Sequence, residues 1–194
     1  LVAEQRVDAQ QFKKSNDQFY ADYVAGSLDI FAYLEFSLRP LTEMSMAELG
    51  ELHTKFMQQV IAPMQLPKAK ALLQKHRDAG DLIVVVTATI EFVTAPIVKL
   101  LGIEHLVAHM PEKIGGQYTG QLSGVASFGA GKVTRLKQWL QENPASMQGS
   151  YFYSDSINDL PLLNLVDNPF AVDPDDRLRQ LAAKNKWPII SLRD

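Results

Sequence analysis

Residues 150–165 constrain this chain more than any other stretch, because a short apolar run ends there in acidic residues. The run 150–153 precedes Asp155 and Asp159, and Asn158 stands between these two carboxylates. A second apolar run follows at 160–165. The pattern predicts a buried strand, a tight loop and a helix, with Asp155 at the strand tip and Asp159 in the first helical turn. In open α/β sheets, ligands bind at the carboxyl ends of strands, where such loops lie.

The two carboxylates have two interpretations. Paired hard oxygen ligands beside a phosphate suit Mg²⁺, which takes one or two protein carboxylates and keeps several waters. Alternatively, Asp155 or Ser156 caps the helix and Asp159 complements its dipole. We favour magnesium binding, because other parts of the chain supply groups that match a phosphate site.

Composition restricts the chain to the ordinary globular class. Its 194 residues are 46% hydrophobic and 21% charged, with a net charge of −3 and no cysteine. These values argue against a disordered chain, a disulfide framework and the basic face of a nucleic-acid-binding protein. No apolar stretch has the length of a membrane span and no signal peptide is visible, so we expect a cytoplasmic protein. The oligomeric state stays open.

A change of periodicity predicts two parts, a helical part at residues 1–62 and an α/β part at residues 63–194. Apolar residues of the first part, many of them aromatic, recur at helical spacing, and Pro40 is expected to end its second helix. The aromatic residues suit core packing better than a substrate pocket. From residue 63 onward helices alternate with short apolar strands, which predicts a doubly wound parallel sheet. The predicted fold class is therefore α/β, a doubly wound core with a small helical cap.

Two further side chains fall at corresponding places in this alternation. Thr87 ends the β-branched strand 82–86, and Lys132 opens a helix after a glycine-rich turn. A hydroxyl, an ammonium and a pair of metal-binding carboxylates are the groups that phosphoryl transfer needs. Taken singly, Thr87 suits a turn residue and Lys132 a solvated lysine. A dinucleotide-binding oxidoreductase is disfavoured, because the chain has no glycine-rich nucleotide loop.

The segments 84–89, 131–136 and 153–163 resemble motifs II, III and IV of the haloacid dehalogenase superfamily. Their order and spacing are similar to those of the subgroup that contains phosphoserine phosphatase. The blocks 92–97 and 173–177 resemble a branch of bacterial phosphatase-like proteins, some of them labelled histidinol phosphatases. The resemblance implies a Mg²⁺-dependent phosphomonoesterase that acts on a small phosphorylated metabolite through an aspartyl-phosphate intermediate. Ser156 departs from the subgroup, which usually has glycine there.

The resemblance also implies a role for each candidate residue. Asp155 binds Mg²⁺ directly, while Asp159 binds it through water or orients its shell, with Asn158 in support. Thr87 and Lys132 hold the transferring phosphoryl group. Arg39 ends a helix of the cap and is a candidate for binding a substrate carboxylate, the alternative being an ordinary surface arginine.

The first motif of the superfamily, Asp-x-Asp at the end of an apolar strand, has no counterpart here. The early aspartates lie in amphipathic helical sequence, and the first residue is Leu1. We therefore expect an N-terminal truncation that removes the nucleophile and the first core strand, so that the 194-residue chain itself is inactive. The alternative is a protein that binds phosphate and Mg²⁺ without catalysis. In the superfamily that first strand lies between the strand ending at Thr87 and the strand ending at Asp155, so the resemblance implies a gap or a collapse between these two strands.

Overall fold

The structure is a computed structural model that describes residues 2–4 and 6–193; Leu1, on which the expectation of truncation rests, lies outside them. The helices are α1 (Ala9–Ala25), α2 (Ile30–Thr42), α3 (Met46–Phe56), α4 (Pro67–Asp78), α5 (Glu91–Leu100), α6 (Ala130–Glu142), α7 (Leu160–Leu163) and α8 (Asp176–Asn185). The strands are β1 (Val84–Ile90), β2 (His105–His109), β3 (Pro111–Ile114), β4 (Gln117–Leu122), β5 (Tyr151–Ser154), β6 (Asn168–Val172) and β7 (Ile189–Ile190). Short helical turns cover Met57–Ile61, Ala62–Met64 and Ile157–Asp159.

The core strands pair in parallel, as the alternation of helices and strands predicted. β1 pairs with β2, and β6 pairs with β5 on one side and β7 on the other. β3 and β4 form an antiparallel hairpin. The prediction of an α/β fold is therefore confirmed.

The helical part packs on this hairpin. A buried apolar cluster joins residues of α2 and α3 to Ile90 at the end of β1 and Tyr118 of β4. Burial of such side chains stabilises the folded state by about 1.5–3 kcal/mol each. Because the cluster draws on both sides of residue 62, the division into a cap at 1–62 and a core at 63–194 stays a prediction.

The predicted end of α2 at Pro40 is wrong. The helix continues to Thr42, with Pro40 buried beside Leu38 and Leu41. A proline removes one backbone N–H bond from a helix. Burial of the ring against its apolar neighbours offsets that loss.

The end of α1 is held against the loop that follows β5. The hydroxyl of Tyr23 donates to Ser156 Oγ at 2.7 Å, and Asn158 Nδ2 donates to the Tyr23 carbonyl at 3.1 Å. Arg177 Nη1 of α8 donates to the Ala25 carbonyl at 3.2 Å, just before α1 ends at Gly26 in a left-handed conformation. These contacts place the helical part over the carboxyl end of β5.

The parallel strands form two separate sheets, and the expected gap lies between them. In the described part of the chain no pairing joins β1 to β5, so each presents a free edge. The cleft at this place has a volume of ≈ 710 Å³, and its walls include Val85, Val86, Phe152 and Tyr153. Buried backbone groups without partners are costly, so two facing free edges are suited to a further strand.

Side-chain contacts join α4, which precedes β1, to β5 on the other side of this gap. His76, in the helix that leads to β1, makes a 2.9 Å hydrogen bond from Nε2 to the hydroxyl of Tyr153 in β5. Its Nδ1 lies 2.7 Å from Asp81 Oδ2. This chain of hydrogen bonds limits how far the two sheets separate.

None of the helices in residues 2–4 and 6–193 has the length and apolarity needed to traverse a lipid bilayer.

Candidate active site

The cleft brings four of the predicted site residues together. Thr87, Lys132, Asp155 and Asp159 all line it, although they come from β1, α6 and the loop after β5. Parallel strands present their carboxyl ends at one edge of a sheet, which explains why residues so distant in the chain meet. Their catalytic and metal-binding roles stay predictions, but their arrangement is that of one site.

Thr87 lies inside β1 rather than at its end, which corrects the predicted boundary. β1 continues to Ile90, but its pairing with β2 is regular only through Val86 and then shifts. The hydroxyl of Thr87 accepts a hydrogen bond from the Thr89 backbone N–H at 3.0 Å. Its hydrogen therefore stays available to donate to a phosphate oxygen.

Lys132 and Asp159 form a buried ion pair at the base of the cleft. Lys132 Nζ donates to Asp159 Oδ1, and the two side chains are only 8% and 11% exposed. Ser154 Oγ donates to the other carboxylate oxygen of Asp159 at 2.8 Å. The alternative of a solvated lysine does not hold, because its ammonium is enclosed. A charge held in this way interacts strongly with a bound anion, since the effective dielectric constant falls with burial.

A close backbone approach positions Lys132 at the start of α6. Gly129 takes φ 51° and ψ −124° before the helix, a conformation that side chains rarely adopt. A β-carbon on Gly131 would overlap the carbonyl oxygen of Ala126. The glycine-rich turn is therefore required by packing, directly beside the lysine.

Replacement of Gly131 by alanine is expected to lower the free energy of unfolding by about 1–3 kcal/mol, because the backbone at Ala126 must shift. Gly50→Ala is the matched control: Gly50 lies within α3, and an added β-carbon there meets open space. This control is expected to raise stability by about 0.5–1 kcal/mol. Denaturant titration of both variants checks the prediction. Equal and small effects would contradict the close packing at Gly131.

Asp155 offers a carboxylate without a protein partner in the part of the chain that the structure describes. Its backbone carbonyl accepts from Asp175 N at 2.8 Å, but its side-chain oxygens take no hydrogen bond or ion pair there. The cap of the following helical turn is Ser156, which accepts from the Asn158 N–H. Of the two capping alternatives, only the one at Ser156 is seen. Asp155 is therefore free to bind a ligand.

The residues at this site fit a hydrated Mg²⁺ ion. Asp155 supplies a free carboxylate, and Asp159 is held in place beside it in the same cleft. Within the described ranges, no three histidine or acidic side chains lie close enough together to hold a metal ion by themselves. Mg²⁺ is suited to such a site, because it binds through one or two carboxylates and completes its shell with waters and phosphate oxygens.

Asn158 and Arg39 lie outside the set of residues that line the cleft. The amide of Asn158 bonds to the Tyr23 carbonyl, so its visible contact holds the helical part in place. Arg39 is 77% exposed, and its Nε donates to Glu43 at 2.8 Å. The geometry thus agrees with the surface-arginine alternative for Arg39.

Sequence reasoning missed the aromatic wall of the cleft. Side chains of α1 and α2, assigned above to core packing, line the cleft; they are Phe19, Tyr20, Tyr23 and Tyr33. The signal was present in the spacing of Phe19, Tyr20 and Tyr23, which share one side of a helix. Nothing in that spacing distinguishes a wall of a site from a buried core, because both are apolar faces.

A neutral histidine lies behind the lysine. His109 is fully buried, and both of its ring nitrogens lack hydrogen-bond partners among the described residues. Burial, together with the positive charges of Arg135 and Lys132, lowers the pKa of His109 to about 4. Near neutral pH His109 therefore adds no positive charge that would compete with Lys132 for an anion.

The fold and this site together define a class, an α/β protein with a buried lysine and two carboxylates gathered near the carboxyl ends of its parallel strands. A model of the haloacid dehalogenase-like hydrolases matches residues 8–164. A histidinol-phosphatase from Neisseria meningitidis is 42% identical over 197 residues, covering 100% of this chain and 89% of that protein. A phosphoserine phosphatase from Mycobacterium tuberculosis is 32% identical over 172 residues. That match covers 89% of this chain but 54% of the relative, so the chain spans about half of its length.

Solved structures of other proteins share the fold of this chain. A protein of unknown function from Bordetella pertussis is 41% identical and has a TM-score of 0.88, covering 95% of this chain and 84% of that one. A phosphoserine phosphatase with an analogue of a phospho-aspartyl intermediate has a TM-score of 0.67 at 16% identity, which shows a shared fold. The chain belongs to the haloacid dehalogenase-like hydrolases and, within them, to the phosphoserine phosphatase-like group of phosphoric monoester hydrolases.

Proposed function

We propose that the protein is a Mg²⁺-dependent hydrolase of a small phosphorylated metabolite and that it works through an aspartyl-phosphate intermediate. The observation that carries the proposal is the meeting of Thr87, Lys132, Asp155 and Asp159 in one cleft. Membership of a phosphoric monoester hydrolase group supports the reaction class. We also propose that residues 1–62 act as the cap that covers this site.

Thr87 and Lys132 are assigned to the phosphoryl group. The Thr87 hydroxyl donates to one of its oxygens, and the buried Lys132 ammonium neutralises charge that accumulates in the transition state. Lys132 is already held by Asp159, so little reorganisation is needed during the reaction. Fixed donors of this kind act mainly by preorganised electrostatics.

Asp155 is assigned to direct metal binding, and Asp159 to orientation of the metal's water shell. When bound, Mg²⁺ supplies positive charge that polarises the phosphoryl group. Lys132 and Ser154 fix the carboxylate of Asp159, so that its direction is set before a ligand arrives. Such outer contacts orient metal ligands and tune their affinity.

The attacking aspartate is assigned to a strand placed between β1 and β5. Both neighbours carry site residues beyond their regularly paired part, Thr87 directly after Val86 in β1 and Asp155 directly after β5. A strand parallel to them would bring its own carboxyl end between these residues, within reach of the same phosphoryl group. In the first half-reaction the carboxylate oxygen bonds to phosphorus as the ester oxygen leaves. Water then releases phosphate from the aspartate.

The test is phosphate release by the full-length protein with Mg²⁺, repeated after chelation and in the variant Asp155→Asn. Chelation is expected to abolish turnover, and Asp155→Asn to lower kcat/KM by at least about 100-fold, because a metal ligand is lost. Asp176→Asn, at an exposed position in the first turn of α8, is the matched control and is expected to keep full activity. Undiminished Mg²⁺-dependent turnover by Asp155→Asn would refute the assigned role. Tight binding of Mg²⁺ and phosphate without turnover by the full-length protein would favour a non-catalytic binding protein.

A further inference from the structure

The loop between the two carboxylates of the site is bonded twice to one residue of the helical part, Tyr23. The hydroxyl of Tyr23 donates to Ser156 Oγ at 2.7 Å. The carbonyl of Tyr23 accepts from Asn158 Nδ2 at 3.1 Å. Both partners lie in the chain between Asp155 and Asp159. The end of α1 therefore touches the segment that joins the two proposed metal-binding residues.

Ser156 connects this contact to the buried ion pair of the site. Ser156 is 4% exposed, and its Oγ accepts from the Asn158 backbone N–H at 3.3 Å as well as from Tyr23. Its own backbone N–H donates to Ser154 Oγ at 3.1 Å, and Ser154 Oγ donates to Asp159 Oδ2 at 2.8 Å. A chain of hydrogen bonds thus runs from the hydroxyl of Tyr23 to the carboxylate of Asp159. Hydrogen bonds linked in this way inside a protein strengthen one another.

The α/β part holds the backbone of the same loop independently of α1. Asp175 Oδ2 accepts from the Ile157 N–H at 2.8 Å, and Asp175 N donates to the Asp155 carbonyl at 2.8 Å. The other oxygen of Asp175 caps α8 by accepting from the Leu178 N–H at 2.7 Å. Loss of the Tyr23 hydroxyl therefore removes a contact with the helical part and leaves the attachment of the loop to the α/β part intact.

Two attachments of unequal strength connect the helical part to the α/β part. The buried apolar cluster under α2 and α3 includes four leucines of these helices, Leu34, Leu38, Leu41 and Leu49. By contrast, α1 has no buried side chain along Ala9–Ala25. Its last turn meets the α/β part through the Tyr23 contacts, a 3.2 Å bond from Arg177 and a ring contact at 6.2 Å with Phe128. Burial of several leucines outweighs a few neutral hydrogen bonds, so the end of α1 is the attachment that opens first.

We infer that Tyr23 and Ser156 are positioning residues that couple the docking of α1 to the binding of Mg²⁺ at Asp155. This inference rests on the proposed function, from which it takes the metal-binding role of Asp155. With α1 docked, the segment directly after Asp155 is already ordered, so less conformational entropy is lost when the carboxylate binds the ion. The coupling is reciprocal, and a bound ion therefore favours the docked position of α1.

The experiment measures hydrogen exchange in the last turn of α1 of the full-length protein with and without Mg²⁺. Exchange is expected to be slower by at least about 2-fold with Mg²⁺ present, since one neutral hydrogen bond corresponds to about 2- to 10-fold in an equilibrium. Tyr23→Phe and Ser156→Ala are each expected to remove most of this slowing. In assays of phosphate release, both are expected to raise the Mg²⁺ concentration for half-maximal activity about 2- to 10-fold and to leave kcat at saturating Mg²⁺ within about 2-fold.

Two comparisons make the test specific to this contact. Tyr151→Phe is the matched control, because it removes a hydroxyl from a tyrosine that is 46% exposed at the start of β5, away from the loop. Tyr23→Phe added to Ser156→Ala is expected to change neither measurement further, since the bond that the two residues share is already lost. Thermal unfolding of each variant close to that of the unmodified protein shows that the fold is kept.

The outcomes separate this inference from the proposed function. Equal effects of Tyr23→Phe and Tyr151→Phe, or an added loss in the double variant, overturn the coupling. If phosphate is released with Mg²⁺ but exchange in α1 does not respond to the ion, only the coupling fails. If the full-length protein releases no phosphate but Mg²⁺ slows exchange in α1 and Tyr23→Phe removes the slowing, the proposed function fails and the coupling holds.

Discussion

A polypeptide of residues 1–194 is expected to release no phosphate from an aryl phosphate with Mg²⁺ present, although it holds the groups that bind a phosphoryl group. Thr87 and Lys132 can donate hydrogen bonds to an anion, but neither side chain has a carboxylate that could attack phosphorus. Asp155 is assigned to the metal and Asp159 is bonded to Lys132 and Ser154. The strand that would bring the attacking aspartate belongs in the gap between β1 and β5.

Supplying that strand is expected to restore both stability and turnover. An apolar strand ending in Asp-x-Asp, joined ahead of residue 1, pairs with the free edges of β1 and β5 and fills the ≈ 710 Å³ cleft in part. The free energy of unfolding is expected to rise by about 3 kcal/mol or more, since each buried backbone group without a partner costs about 1–3 kcal/mol. Turnover is expected to reach the ordinary range of about 1–10³ s⁻¹.

The matched control carries the same strand with Asn-x-Asn. It is expected to gain the stability without the turnover, which separates the packing of the strand from its chemistry. Denaturant titration and phosphate release on the three polypeptides are the measurements. Mg²⁺-dependent hydrolysis by residues 1–194 alone, abolished by Asp155→Asn, would place the nucleophile inside this chain and overturn the assignment.

Lys132→Met is expected to lower kcat/KM of the full-length protein by about 10²–10³-fold and its free energy of unfolding by about 3–5 kcal/mol. The first effect follows from loss of a preorganised charge at the phosphoryl group. The second follows because the carboxylate of Asp159 stays buried after its partner is removed. A methionine fills similar space, so the stability change reports the charge rather than a cavity.

Two comparisons test this account of Lys132. Lys137→Met changes an exposed lysine of the same helix and is expected to alter stability by less than about 0.5 kcal/mol, with activity retained. Adding Asp159→Asn to Lys132→Met is expected to recover part of the lost stability, because the buried charge is removed, but none of the activity. If Lys132→Met behaves like Lys137→Met in both measurements, the buried pair has no role.

Local features of the chain could be predicted because their causes are local. The loop at Asp155 follows from an apolar strand that ends in polar residues. The alternation of helices and strands was enough to predict parallel pairing. By contrast, the end of α2 was misplaced at Pro40, because burial of that proline in the packed helical part outweighs its local effect.

The site itself shows the same division between local and distant causes. Sequence pattern placed Thr87, Lys132, Asp155 and Asp159 at equivalent ends of successive elements, and the structure brings them into one cleft. The pattern could not show that Lys132 is buried against Asp159, since that pairing joins residues 27 positions apart. Nor could it place Arg39 outside the cleft or Tyr20 on its wall.

What the sequence alone determined is therefore the class of fold, the family resemblance and the identity of the phosphate and metal candidates. These depend on periodicity, on breaks in it, and on residue types at strand ends. Only the tertiary structure decided which charges are paired, which aromatic face lines the site, and that β1 and β5 face each other across an unfilled gap. The physical reason is that burial and pairing arise from segments distant in the chain, and no single segment carries the position of its partner.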